Sequence, residues 1–223
     1  MSYELLVPGP RGSRMRRALV EAMRTVYAEN VERYDPDDLG DNNMTFAVSV
    51  VHNLRHFAER VVEPIEGVEA HRGHNSFWLL IDRERPLYLY KAPPGTLSVD
   101  SMRFDESDLR QQITQRNASH LQLQLDVCQA GTAPEEDQLP PYAVIVHFGD
   151  PEGAFSHAVI GAPYRIADGS CLWAWLQPFE AEPDELHGQR PAAPPEPVPP
   201  RHDSDGLGLR LRPAEERASE DDS

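Results

Sequence analysis

The sequence predicts an α+β fold: two N-terminal helices packed on a mostly antiparallel sheet of six or seven strands, with one further helix. Two stretches of helical periodicity come first along the chain, and short apolar segments separated by turn residues follow. The 223 residues suffice for one domain with a buried core. We expect a flexible arm over residues 1–12, a single domain over residues 13–182 and a disordered tail over residues 183–223.

The first two helices are predicted from residue spacing and from their end signals. Apolar residues recur at i, i+3, i+4 and i+7 from Ser13, the expected N-cap, to about Arg33. The second helix should run from about residue 44 to residue 62, before Pro64 stops it. Its apolar face is wide and includes Val48, which predicts a helix lying deep in the fold.

The rest of the domain is predicted to consist of strands with one polar helix over residues 105–117. Leucine and valine alternate with polar residues from Leu121 to Cys128, the pattern of a half-exposed strand. The predicted strands lie at residues 68–71, 77–82, 87–91, 121–128, 142–148, 155–160 and 172–176.

The C-terminal segment has a different composition from the predicted domain. Eight of the 21 prolines lie in residues 179–223, where 12 acidic residues stand against five arginines. Such a segment buries too little apolar surface to offset its ordering entropy. We therefore expect a disordered, acidic, proline-rich tail of the kind used in docking.

Charge and composition narrow the classes of function. The formal net charge of −16 disfavours general nucleic-acid binding, which needs basic residues to neutralise phosphates. Neither a membrane-spanning apolar stretch nor an export signal is apparent, so we expect a cytoplasmic protein with no membrane contact and two reduced cysteines. Arginine almost replaces lysine, with Lys91 as the single exception, which suggests GC-rich bacterial coding.

A polar stripe on the second helix is the most chemically suggestive feature. Spacings of three and four residues place six polar side chains on one helix face: Thr45, Ser49, His52, His56, Glu59 and Glu63. His52 and His56, one turn apart, could ligate a divalent metal, and Glu59 lies close enough to act as a further ligand or a base. The alternative interpretation is an ordinary solvent-facing or backbone-bonded set of polar residues.

The order helix, three strands, helix, strand over residues 44–128 resembles the core of the PD-(D/E)xK nuclease family. Lys91 ends the third predicted strand, where that family places its lysine. The resemblance implies metal-dependent phosphodiester hydrolysis. The chain departs from the motif, because Leu89 stands where the family has an acid and Asp82 lies at the far end of its strand. A tight turn after Asp82 would place it roughly 20 Å from Lys91, too far to share one metal.

The sequence favours a non-catalytic intracellular interaction or regulatory protein whose partner is another protein. Common nucleotide-binding and nucleophile motifs are absent from it. The expected contact residues are Arg14, Arg17 and Arg24 of the first helix and the strand residues Trp173 and Trp175. With Trp78, Tyr88 and Tyr90, the two tryptophans could line a pocket or stack on bases, and packing in the core or on a sheet face is the alternative. The alternative is a metal-dependent hydrolase, nuclease-like and of the toxin or phage-defence type. In it His52, His56 and Glu59 would hold the ion, and Lys91 would stabilise developing negative charge.

Overall fold

The computed structural model describes residues 3–73, 76–129 and 141–180. These residues form four α-helices and a six-stranded, mostly antiparallel sheet, which confirms the predicted α+β class. Residues 1–186 belong to one compact unit, and the second unit, residues 187–223, lies outside the described residues. The tail predicted over residues 183–223 also lies outside them. No helix in the described ranges is both long and apolar enough to cross a membrane.

The N-terminal segment is helical and packed, so the expected flexible arm is wrong for residues 3–12. Helix α1 (Tyr3–Leu6) precedes helix α2 (Gly9–Arg33), which begins before the expected cap at Ser13. A proline in the first turn of α2 is tolerated there because that turn needs no intrahelical N–H donor. The Tyr3 ring is buried, and its hydroxyl donates to the Gly12 carbonyl at 2.8 Å.

Helix α3 (Asn43–Val62) is continuous, as the spacing predicts. Its N-terminus carries a capping box in which the Asn42 side chain accepts from the Met44 and Thr45 amides. The Thr45 hydroxyl oxygen accepts from the Asn42 amide at 2.8 Å. The expectation that Val48 widens the buried face is wrong, because its side chain is 61% exposed.

The sheet has the order β1-β2-β3-β4-β5-β6. Every neighbouring pair is antiparallel except β3 and β4, which are parallel. The strands are β1 (Val68–Arg72), β2 (Phe77–Ile81), β3 (Arg85–Lys91), β4 (Ala143–Asp150), β5 (Ala154–Ala167) and β6 (Ser170–Pro178).

The parallel β3–β4 pair explains the main error in the predicted secondary structure. Helix α4 (Asp108–Gln129) is one continuous helix, so the strand predicted over residues 121–128 is wrong. Two parallel neighbours need a long crossover connection, which a helix supplies. Asn117, in the middle of α4, fixes the crossover to the sheet: its amide nitrogen donates to the Tyr142 and Pro163 carbonyls at 2.9 and 2.7 Å.

The two faces of the sheet are covered differently. On the inner face, α1, α2 and α3 form the main core with side chains such as Leu79, Leu87 and Ile145. On the outer face, a second core lies between the short helix η1 (Val99–Ser101), α4 and the later strands, around Phe104 and Val146. Helix α4 makes its main sheet contacts with β5. Among the described elements, the outer face of β1 and β2 therefore lacks a helix packed along it, whereas Tyr88 and Tyr90 of β3 pack against the second core.

Candidate functional site

The polar stripe on α3 does not form a metal site among the described residues. His52 and His56 are exposed, and the Glu59 carboxylate forms an ion pair with the Arg72 guanidinium of β1. No group of three or more His, Cys, Asp or Glu side chains in the described ranges is placed to hold a metal ion. The structure therefore does not bring His52, His56 and Glu59 into one cluster of ligands.

The first half of the stripe lines a cleft between α2 and α3. This cleft has a volume of about 420 Å³. At its floor, the Asn53 amide nitrogen donates to the Asn30 Oδ1 at 3.1 Å, and Asn30 itself is buried. The cleft is lined by Asn30, Arg33, Tyr34, Asp41, Thr45, Phe46, Val48, Ser49, His52 and Asn53. Its charges are mixed, and its open shape does not select one ligand chemistry.

Lys91 joins a polar cluster in the inner core. Its side chain points toward α2, where Nζ lies 5.6 Å from the Tyr27 ring centroid. Nζ donates to the Ala92 and Gly149 carbonyls at 3.0 and 2.7 Å. In the parallel register Lys91 pairs with His147, whose Nδ1 lies 3.0 Å from the Tyr27 hydroxyl. The cluster therefore links α2 to the ends of β3 and β4.

Burial perturbs the ionisation of all three side chains in this cluster. It lowers the pKa of Lys91 to about 8, against an opposing effect of the Asp150 carboxylate. Burial, with a smaller contribution from the Lys91 charge, lowers the pKa of His147 to about 3, and burial raises the pKa of Tyr27. His147 is therefore neutral and shares one hydrogen bond with the Tyr27 hydroxyl. The two residues predicted to be catalytic make different contacts, Lys91 with the Gly149 carbonyl and Glu59 with Arg72.

The register confirms that Asp82 and Lys91 are far apart. Asp82 follows β2 at the turn into β3, whereas Lys91 is the last residue of β3, at the opposite end of that strand. The Asp82 carboxylate accepts two hydrogen bonds from the Arg11 guanidinium, at 2.6 and 2.7 Å, and these lower its pKa. Asp82 therefore does not lie beside Lys91, as the acid of the nuclease motif would have to.

The predicted contact residues are distributed over three places. Arg14 and Arg24 are exposed on α2 and Arg17 is partly exposed, so the three stay predictions as contact residues. Trp175 packs in the inner core, whereas Trp173 packs in the outer core against Phe104. The two tryptophans lie on different faces of the sheet, although they are two residues apart, because the β5–β6 register shifts around Pro163.

Four aromatic rings form a row along the outer face of the sheet. His71, Trp78 and Tyr88 lie directly opposite one another on β1, β2 and β3, and Tyr142 lies just before β4. The ring centroids are separated by 5.7 Å, 5.9 Å and 6.2 Å along this order. All four side chains are partly exposed. We call these four residues the aromatic row.

The two ends of the aromatic row differ in charge. At one end, the Arg116 guanidinium of α4 lies 5.4 Å from the Tyr142 ring centroid and donates to the Tyr142 hydroxyl. At the other end, the His71 Nε2 lies 3.6 Å from the Glu69 Oε2, and Glu69 also forms an ion pair with the Arg83 Nε at 3.1 Å. Arg116 and Tyr142 also line a cleft of about 550 Å³ together with Gln115, Ser119, His120 and Pro141. The row therefore runs from an end with paired charges to a basic, concave end.

The sequence supplied only part of the signal for the aromatic row. Trp78 and Tyr88 stand out as aromatic strand residues, but His71 and Tyr142 join them only through strand pairing. Tyr142 reaches Tyr88 because β4 returns parallel to β3, an arrangement that local periodicity does not encode.

Comparison with protein-family models finds none that matches the chain, and comparisons with curated proteins and with solved structures find no significant match.

Proposed function

We propose that this chain is a non-catalytic interaction protein that binds a segment of another protein along the aromatic row. The single observation that carries the proposal is the row itself: four partly exposed rings that follow one another along the outer face of the sheet, from β1 and β2 to the border of the second core. Partly exposed aromatic residues that cluster on a surface are typical of protein-binding sites.

The arrangement of the rings supports binding with little loss of entropy. Each ring rests against its neighbour, and Trp78 and Tyr88 stand on paired strands, so their side chains are already ordered before a partner arrives. Tryptophan and tyrosine offer a large contact area with only two side-chain torsions to fix. Ordered anchors of this kind lower the cost of association.

The polar groups of the described residues support a role without catalysis. Lys91 and His147, whose pKa values are strongly lowered, are both bonded within the core. The α3 histidines are exposed, and Glu59 is paired with Arg72. Lys91 and Glu59, the two residues predicted to be catalytic, are therefore both held by other contacts, whereas a catalytic acid or base must be available beside a pocket.

A random peptide library displayed on phage tests the proposal before any partner has been identified. The full chain serves as the target, and the Trp78→Ala and Tyr88→Ala variants serve as counter-targets. Leu97→Ala is the control, because Leu97 is 80% exposed and lies outside the row. Circular dichroism and thermal melting establish that each variant is folded.

We expect selected peptides to bind the wild type and the Leu97→Ala variant equally. The row variants should bind at least about tenfold more weakly, since truncating an aromatic anchor typically costs about 1–2 kcal/mol or more. Peptides that bind folded Trp78→Ala and Tyr88→Ala as well as the wild type would place binding elsewhere and overturn the proposal. Failure to select any peptide would also count against it.

A further inference from the structure

We infer that the segment bound by the aromatic row is a proline-rich peptide with an acidic residue at its Arg116 end. The inference rests on the proposed function and adds the chemistry of the partner. It is carried by the direction of the row, its length, its polar atoms and the unequal charge of its two ends.

The direction of the row favours a peptide that does not need strand pairing. The rings follow one another across β1, β2 and β3, so a peptide lying along them crosses the strands instead of extending an edge. The backbone hydrogen bonds of β-augmentation are out of reach in that direction. A polyproline II helix has no internal hydrogen bonds and keeps a solvated backbone, so it loses nothing by crossing the sheet.

The length of the row matches this conformation. Three centroid separations of 5.7, 5.9 and 6.2 Å give a row of up to about 18 Å. A polyproline II helix rises about 3.1 Å per residue with three residues per turn, so two turns span about 19 Å. Proline rings on one side of the helix would therefore contact the row over two turns.

The polar atoms of the row also suit a proline-rich ligand. Proline removes the backbone N–H and leaves its carbonyl as an acceptor, so such a peptide carries more acceptors than donors. The row supplies donors in the Trp78 indole N–H and the Tyr88 hydroxyl. Aromatic grooves that bind PxxP segments combine the same two features, ring faces and polar tips.

The charge at the two ends sets the position of the acidic residue. Arg116 is exposed beside Tyr142 in the cleft between α4 and β4, and its guanidinium can bind a carboxylate while stacked on the ring. At the other end, the Arg83 guanidinium is already paired with Glu69, so it attracts a carboxylate less than Arg116 does. The peptide should therefore bind in one orientation, with its acidic residue toward α4.

Single-stranded nucleic acid is the other ligand that aromatic rows accommodate, through base stacking. A chain with a net charge of −16 disfavours it, because each phosphate would approach an acidic protein with Arg116 as the nearest basic partner on the row. We therefore argue for the peptide, and an oligonucleotide forms one arm of the test.

The test measures fluorescence anisotropy of labelled synthetic peptides with the full chain. The probe peptide has proline at every third position and one glutamate near an end. One control peptide replaces the prolines with alanine, and a second replaces the glutamate with glutamine. A poly(dT) oligonucleotide is the fourth ligand. The protein variants are Trp78→Ala, Tyr88→Phe, Arg116→Gln and the Leu97→Ala control, each checked for folding by circular dichroism.

We expect the alanine peptide to bind at least about tenfold more weakly than the proline peptide. On the wild type, the glutamine peptide should bind about three- to tenfold more weakly than the glutamate peptide. On Arg116→Gln the two peptides should bind equally, and a double-mutant cycle reports this difference directly. Tyr88→Phe should weaken binding while it preserves the ring. Equal binding of the proline and alanine peptides, tighter binding of poly(dT), or a glutamate effect that persists in Arg116→Gln would overturn the inference.

The outcomes separate this inference from the proposed function. Library peptides that need Trp78 but lack proline would leave the interaction role standing and remove the proline-rich partner. Peptides that bind independently of the row would remove both.

Discussion

Acidification should destabilise this protein through one buried imidazole, that of His147. The side chain is 1% exposed, and burial lowers its pKa from 6.5 to about 3. Between these values the unfolded chain binds a proton that the folded chain excludes. The free energy of unfolding therefore falls as pH falls from 6.5 toward 3, and the stabilisation is complete only above pH 6.5.

The size of the effect follows from the width of that interval. One group that titrates only in the unfolded state contributes a slope of about 1.4 kcal/mol per pH unit. At pH 5 the loss relative to neutral pH is therefore about 2 kcal/mol, a large fraction of the stability of a typical domain. The Lys91 ammonium acts in the same direction, because its positive charge disfavours a second proton on the ring.

Urea unfolding followed by tryptophan fluorescence at pH 7.5, 6.5, 5.5 and 5.0 measures this slope. His147→Gln keeps an acceptor for Tyr27 but does not titrate, so its slope should be lower than that of the wild type by about 1.4 kcal/mol per pH unit below pH 6.5. His56→Gln removes an exposed histidine from α3 and serves as the matched control, with an unchanged slope. Equal slopes for the wild type and His147→Gln would refute the argument.

Three further outcomes follow from single sites. The pKa of about 8 at Lys91 means that the folded chain releases this proton before the unfolded one, so Lys91 should raise the free energy of unfolding from about pH 8 to 10.5. Urea titrations should show this as a difference in slope between the wild type and Lys91→Met, because the buried tyrosines, whose pKa values are raised, act equally in both. The Asn117 side chain bonds three backbone groups, and Asn117→Leu leaves all three without a partner, so it should lower the free energy of unfolding by about 2–4 kcal/mol. Asn42→Ala removes only an exposed helix cap and should lower it by about 1 kcal/mol. Zn²⁺ or Mn²⁺ should not raise the melting temperature of the wild type above that of the double variant His52→Ala/His56→Ala, and a rise confined to the wild type would establish a metal site.

The helices and most strands could be predicted because their signals are local. The 3.6-residue apolar spacing of α3 and its Asn42 cap both lie within one short segment of the chain. The packing of the segment around Tyr3 could not be predicted in this way, because its burial depends on contacts with later parts of the chain, such as Phe179. The register that separates Trp173 from Trp175 depends on a bulge at Pro163, which strict alternation does not anticipate.

The proposed site was harder to predict than the fold because its residues are distant in sequence and meet only through pairing. The α3 stripe attracted a metal interpretation because helical spacing can be read from sequence, whereas ligand convergence cannot. Its members prove to point into a cleft, into solvent or toward Arg72. Spacing on one helix fixes the face of a side chain but not the groups that approach it from other elements.

The segment over residues 121–128, wrongly predicted as a strand, connects the fold to the proposed site. A strand there would have returned the chain within the sheet, whereas the continuous helix α4 carries it back across the outer face and lets β4 run parallel to β3. Only the parallel return places Tyr142 beside Tyr88 and Arg116 above Tyr142. The Asn117 side chain bonds both the backbone N–H and the backbone carbonyl of Tyr142. Asn117→Leu should therefore weaken peptide binding at the aromatic row as well as lower the free energy of unfolding. Peptide binding that survives in a folded Asn117→Leu chain would show that the row works without its Tyr142 end.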